Sequence, residues 1–324
     1  MNSPGYLTDV GGLSVGHATD AVGLTGCTVI LCDAATTGGV DVRGSATGTR
    51  EIELLRPTHL IEHVHAILLS GGSAYGLDAA AGVMRYLEEH DRGFDVMVAR
   101  VPIVPAAILI DFGLGSPEAR PDAEMGYQAC INATDGEFAR GNVGAGTGAT
   151  VGKIYGMSYA MKAGLGTACV TLHGEVKVGA IVAVNALGDV RDPVDGGILA
   201  GARDPKRNGF ADTEKVMTGD LSATLWSLSN TVIGVAATNA RLNKEETNKF
   251  AQMASNGIAR TIAPAHTSFD GDVVFALSNA ETDLFAPASA IGSAAAQAMS
   301  LAIVDAVNSA ESAGGIPSAK DLAF

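Results

Sequence analysis

The sequence predicts an α/β protein. Short β-rich runs alternate with longer helical patterns along its 324 residues. A glycine count of 41 beside only 5% aromatic residues points to tightly packed layers with close backbone approaches, not to bulky anchors. The 47% hydrophobic content excludes a disordered chain, and the length suits one core in several layers.

The elements follow in chain order. Cys27-Thr-Val-Ile-Leu-Cys32 reads as a buried strand, and His65-Ala-Ile-Leu-Leu69 as another. Ser70-Gly-Gly-Ser73 turns the chain into an Ala-rich helix from about Leu77 to Glu89, and 122–133 is a second helix. Gly179–Val184 and Val232–Ala237 read as strands. Asn243-Lys-Glu-Glu246 has the form of a capping box that opens a helix to about Ile262, with Phe250, Ala254 and Ile258 on one face. A strand at Val273–Leu277 follows. The last helix runs from about Pro287 to Asn308, and its dense alanines suit packing against a sheet. Leu199–Ser222, with its glycines and charges, is expected to be an exposed excursion, and no domain linker is seen.

Charge narrows the function. Lys plus Arg number 21 against 35 Asp plus Glu, a net −14, and no basic run interrupts the balance. Nucleic acid and anionic membrane surfaces are therefore excluded as general partners. The start Met1-Asn-Ser-Pro-Gly5 lacks the basic and apolar parts of a signal peptide. Cys27, Cys32, Cys130 and Cys169 read as small buried hydrophobes of a reducing, cytoplasmic compartment. No cofactor or metal is expected. The seven histidines form no zinc pattern, and His59, His63 and His65 are spaced like one helix face followed by a strand entry.

Two Gly-rich stretches fail as nucleotide motifs. Gly144–Lys153 would need Gly at Thr147 and Ser or Thr at Ile154 to be a Walker loop. Ser70–Gly76 sits between strand and helix, where backbone N–H groups could hold an anion, although tight-turn geometry explains it as well.

The segment Ser229–Ala240 is the informative one. By itself Asn230-Thr231 is a turn residue before a β-branched strand opener. Chemically, a peptide bond before threonine can be attacked by that residue's own hydroxyl, and hydrolysis of the resulting ester makes Thr231 a new N-terminus. Its α-amine, with an ordinary pKa of about 8, then serves as base for the adjacent hydroxyl, and no histidine is needed.

The resemblance to a known family rests on several segments in order. These include Gly12-Leu-Ser-Val-Gly-His-Ala-Thr-Asp20, Val40-Asp-Val-Arg-Gly44, 69–82, 141–153, 229–240 and His266-Thr-Ser-Phe-Asp-Gly-Asp272. The chain resembles, over nearly its whole length, the L-aminopeptidase/D-esterase family of self-processing N-terminal-nucleophile hydrolases, nearest its nylon-oligomer (6-aminohexanoate oligomer) hydrolase branch. The resemblance implies a four-layer α/β/β/α sandwich, shared with the ornithine acetyltransferase family. It also implies one cut between Asn230 and Thr231, leaving residues 1–230 and 231–324 as chains of about 23 and about 9.5 kDa when 32.8 kDa is divided by length.

The implied site residues follow one by one. Thr231 matches the nucleophile. Asn185 matches an asparagine whose side-chain N–H₂ donates to the developing oxyanion, although a turn residue would read the same. Lys153 matches a lysine that keeps the new amine neutral by like-charge repulsion, or it is a surface lysine after a Gly turn. Asp270 and Asp272 match an Asp-Gly-Asp near the nucleophile, with a β-turn or a thin metal pair as the alternatives. Ile110 stands where the nylon-oligomer branch carries a tyrosine, which weakens that substrate as an expectation. The expected substrate is a small peptide or amide, and the expected assembly a homotetramer of processed units. An acyltransferase or an unprocessed non-catalytic relative are the alternatives.

Overall fold

The computed structural model describes residues 4–219, 230–279 and 284–322. The strands that matter are β1 (Leu13–Asp20), β2 (Thr25–Val42), β3 (His63–Ser70), β4 (Ala106–Ile108), β5 (Leu165–Thr171), β6 (Lys177–Asn185), β7 (Thr231–Thr238) and β8 (Val273–Ser278). The helices are α1 (Ala79–Glu89), α2 (Ala123–Ile131), α3 (Lys244–Thr261) and α4 (Ala288–Ser309). One sheet runs β5-β6-β7-β8-β2-β3-β4, with β1 beside β2. The pairs β7–β8 and β3–β4 are parallel.

β2 makes this one sheet into two layers. Its first half, Cys27–Leu31, pairs with Ser70–Ala66 of β3. After an irregularity between Leu31 and Thr36, Thr37–Val42 pairs with Ser278–Val273 of β8. A strand that bends partway while keeping both partners curls the sheet over itself. Side chains alternate across each strand. Cys27, Val29 and Leu31 therefore pack with α1 and α2, while Ile30 and Cys32 point between the two sheet halves. On β6, Val178, Ala180, Val182 and Val184 meet α3 and α4, while Ile181 and Ala183 point inward. The layers are thus α3/α4, sheet, sheet and α1/α2, the four-layer sandwich expected.

The element expectations hold closely. Asn243 Oδ1 accepts from Glu246 N at 2.9 Å, and Glu246 returns the bond to Asn243 N at 2.9 Å. Phe250, Ala254 and Ile258 are buried as expected. α4 is long and apolar enough to cross a membrane, but most of it is buried inside the protein, against α3 and β5. Its closeness to β5 is set by Gly166, where a Cβ would come within 2.1 Å of Ala302 O. His63 and His65 lie in β3 and His59 in a turn, so no helix face carries them. His65 Nδ1 accepts from Ile103 N at 3.1 Å, an internal strand-to-chain bond.

The excursion at Leu199–Ser222 is only partly a surface loop. Ile198–Ala200 pairs with Asp189–Arg191, Thr213–Thr218 is a short helix, and residues 220–222 lie outside the described residues, as does Ser229. Asp189 explains the difference. Its buried carboxylate accepts from Ala202 N (2.8 Å), Thr213 N (2.6 Å) and the Thr213 hydroxyl (2.7 Å), and burial pushes its pKa up to about 6. Such a tether is invisible to composition.

α1 and α2 cross backbone to backbone at Gly82 and Gly126. A Cβ on Gly82 would lie 1.7 Å from Ala123 O. Helix propensity alone favours alanine there by about 1 kcal/mol, but the overlap forces the helices apart. Gly82→Ala is expected to lower unfolding free energy by about 1–3 kcal/mol in urea denaturation; a gain would show that the crossing is loose.

Candidate active site

β6 and β7 are neighbours, and their register sets Asn185 opposite Thr231. Asn230 bridges to Asp270 just before β8. The chain topology therefore brings Lys153, Asn185, Asn230, Thr231, Asp270 and Asp272 into one linked cluster, and all six are buried. Lys153 Nζ donates to Asn185 O at 3.0 Å and to Asn185 Oδ1 at 2.7 Å. The same Oδ1 accepts from Thr150 N at 3.1 Å, and Asn185 Nδ2 donates to Ile110 O at 2.9 Å. These partners fix the orientation of the Asn185 amide.

The peptide joining Asn230 to Thr231 is the focus. The Thr231 hydroxyl donates to Asn230 O at 2.5 Å, and Gly271 N–H donates to the same oxygen at 2.9 Å. The side-chain oxygen thus lies beside its own preceding carbonyl, while a backbone donor polarises that carbonyl. Gly271 also makes the room. A Cβ there would come 2.8 Å from Thr231 Oγ and 2.6 Å from Ala46 O.

The two carboxylates act differently. Asp272 Oδ1 accepts from Val232 N at 2.8 Å, and Oδ2 faces His266 Nδ1 at 2.8 Å. Asp270 Oδ2 accepts from Thr267 N at 2.7 Å. Burial raises the Asp270 pKa, and the charge of Asp272 adds to it. Lys153 moves the other way. Full burial brings it down to about 7, against the pull of Asp270 and Asp111. Among the described residues no cluster of three or more His, Cys, Asp or Glu is arranged to hold a metal.

Three participants were not read from sequence as site residues. Asp111 is buried in the apolar run Ala106-Ala-Ile-Leu-Ile-Asp111, where a lone charge was a usable cue. Thr150 and His266 carried no such cue, although His266 lies within a motif quoted above and takes a left-handed φ of 56° that non-glycine residues rarely adopt. The Ser70–Ser73 turn binds no outside anion through Gly72, because its N–H donates to Asp111 Oδ1 at 2.8 Å.

The site is sealed. Thr231 is 2% and Lys153 1% exposed. A cavity of about 750 Å³ lies elsewhere, around Cys32, Leu60, His63 and Arg92, and no residue of the cluster lines it. The cavity that reaches Lys153 holds about 10 Å³, room for one water, and is walled by Ile110, Leu114 and Met157.

The model of Peptidase family S58 matches residues 5–320. The chain belongs to that family. It is 41% identical to an uncharacterized aminopeptidase of Mycobacterium tuberculosis (strain H37Rv), over 99% of this chain and 98% of the other. It is 35% identical to a 6-aminohexanoate-oligomer endohydrolase of Kocuria sp. over 85% of this chain and 75% of that one. Among solved structures, the L-aminopeptidase D-Ala-esterase/amidase of Ochrobactrum anthropi, described as a variant of the Ntn hydrolase fold, aligns with a TM-score of 0.71 at 20% identity. That alignment covers 97% of this chain and 89% of that one. The S58 chain accordingly has the N-terminal-nucleophile-type sandwich and is an amide-hydrolysing enzyme of the peptidase class.

Two outcomes test this geometry. Gly271→Ala should push the Thr231 hydroxyl aside and lower peptidase activity about 100-fold while circular dichroism stays unchanged; full activity would show that the close approach is idle. The second concerns the buried lysine. Its folded pKa, about 7, lies below the ordinary lysine value of 10.5, so between those values the unfolded chain binds the extra proton and stability rises with pH. Below about 7 the full penalty applies. Lys153→Met removes it, so urea melts should show a gain at pH 6 and a smaller gain at pH 9. Equal effects at both pH values would contradict a buried, titrating Lys153.

Proposed function

We propose that this S58 enzyme cuts its own Asn230–Thr231 bond and then works as an N-terminal threonine hydrolase on amide bonds of small peptides or amides, in the manner of an aminopeptidase. The observation that carries the reading is the Thr231 hydroxyl 2.5 Å from Asn230 O, with Gly271 N–H on that oxygen. Attack by Oγ on the Asn230 carbonyl carbon moves the acyl group from nitrogen to oxygen. Gly271 N–H stabilises the charge on the carbonyl oxygen. Lys153, brought to about 7 by burial, is partly unprotonated at neutral pH and serves as the local base. The shift breaks the C–N bond and frees the Thr231 α-amine; water then hydrolyses the ester, which releases the Asn230 carboxylate and restores the Thr231 hydroxyl.

In the cut enzyme the α-amine accepts the hydroxyl proton as Oγ attacks the substrate carbonyl, and it returns a proton to the departing amine. Water releases the acyl group. Lys153 disfavours a charged amine by repulsion, and Asp270 and Asp272 orient it. Asn185 anchors Lys153 and has the amide donor suited to the oxyanion of this second reaction. The apolar wall of Ile110, Leu114 and Met157 favours a small aliphatic group near Lys153 over the extended amide of a nylon oligomer. A homotetramer of processed units and a cytoplasmic location belong to the same proposal. The location is supported by the four thiols, which stand unpaired, with burial raising their pKa values to about 11 or 12.

Denatured intact mass and N-terminal sequencing test the proposal. Aged protein should give chains of about 23 and about 9.5 kDa, the smaller beginning at Thr231, and Thr231→Ala should stay at 32.8 kDa without activity. Full amidase activity in an uncut chain, or a cut at another bond, would remove Thr231 as the nucleophile.

A further inference from the structure

The two Gly-rich stretches that fail as nucleotide motifs both close on charges of the protein itself. Ser70–Ser73 supplies Gly72 N–H to Asp111 Oδ1 at 2.8 Å, and the Thr25 hydroxyl donates to Oδ2 at 2.7 Å. Gly71 is needed because a Cβ would lie 2.2 Å from that Oδ2. The other stretch wraps a second buried lysine. Lys162 Nζ donates to the carbonyls of Gly146 (3.1 Å), Ala149 (3.0 Å) and Ala163. Asp111 packs on the same turn, where a Cβ on Gly148 would come 2.5 Å from Asp111 Cβ. Asp111 and Lys153 also line the same water-sized cavity.

We infer that Asp111 is the shared counter-ion of Lys153 and Lys162, a positioning residue held by the two Gly-rich turns that sets the balance between the charged and neutral forms of the lysine beside Thr231. The catalytic meaning of that balance rests on the proposed function above; the charge arrangement does not. The groups facing Lys153 are Asp111 and Asp270, with Asp272 and its partner His266 behind Asp270. Asp111 is the carboxylate that attracts both lysines. Burial lowers each lysine to about 7 and raises Asp111, while the Thr25 and Gly72 bonds and Lys162 favour its charged form.

Asp111→Asn tests the charge alone, because Asn can keep the bond from Gly72 and, through its N–H₂, a bond to the Thr25 oxygen. The readout is lysine ¹³Cε titration by NMR in the uncut Thr231→Ala chain, so that chain cutting does not vary. Lys153 and Lys162, two of the chain's eight lysines, are assigned by loss of their signals in Lys153→Met and Lys162→Met. Both midpoints should fall by about one pH unit in Asp111→Asn. Thr25→Val, which removes one bond to the carboxylate, should move them the same way by less. Unchanged midpoints in folded Asp111→Asn overturn the inference. Should that variant fail to fold, unchanged midpoints in Thr25→Val overturn it. The result stands apart from the nucleophile question, which the mass of the wild-type chain decides.

Discussion

Lys153 and Lys162 carry their amino groups fully into the interior of this protein, and much of the architecture around the site answers that constraint. An unpaired buried charge is among the most costly groups a fold can carry. Lys162 meets three carbonyls of a glycine-rich turn and its neighbouring strand, and Lys153 meets the backbone and side chain of Asn185. Asp270 and Asp111 also attract Lys153, and Asp111 attracts Lys162. Burial then brings both lysines into the range where neutral pH decides their charge.

Packing supplies the second constraint. The site lies where the two halves of a curled sheet come together with the loops between them, and those loops approach at backbone distance. Gly44 admits Asp270 O and Asp272 N within 2.5 Å of where its Cβ would be, while Arg43 N and Gly44 N both donate to Asp272 O at 3.1 Å. The Asp270-Gly-Asp272 segment is thus laced to residues 43–46 as well as to Asn230. The high glycine and low aromatic content noted from composition is the signature of this lacing: narrow spacing leaves no room for rings.

Local signals were legible because each depends on a few adjacent residues. The capping box at Asn243, the strand at Val232–Ala237 and the Ala-rich final helix need no distant partner to be recognised. The site residues Thr231, Lys153, Asn185, Asp270 and Asp272 came from resemblance of motifs, since no spacing rule joins positions 153, 185, 231 and 270. What sequence did not yield was the linkage. Asp189 turns an apparent surface excursion into an anchored segment through bonds to Ala202 and Thr213, and Asp111 reaches Gly72 and Thr25 across long separations. Nor did it show that Gly271 N–H stands on the Asn230 carbonyl, a donor set by β7–β8 pairing and not by residue type.

The burial of the cluster bears directly on how such a site can work. Under the proposed mechanism a substrate carbonyl has to reach Thr231 Oγ, which in the uncut chain lies against Asn230 O. Under that mechanism the intact peptide and a bound substrate compete for the same hydroxyl, and the uncut chain blocks its own site. Under the proposed mechanism the first turnover removes that occupant and creates the α-amine base in the same step. Activation and unblocking are one event, so a partly processed sample should contain active and blocked sites in proportion to cut and uncut chains.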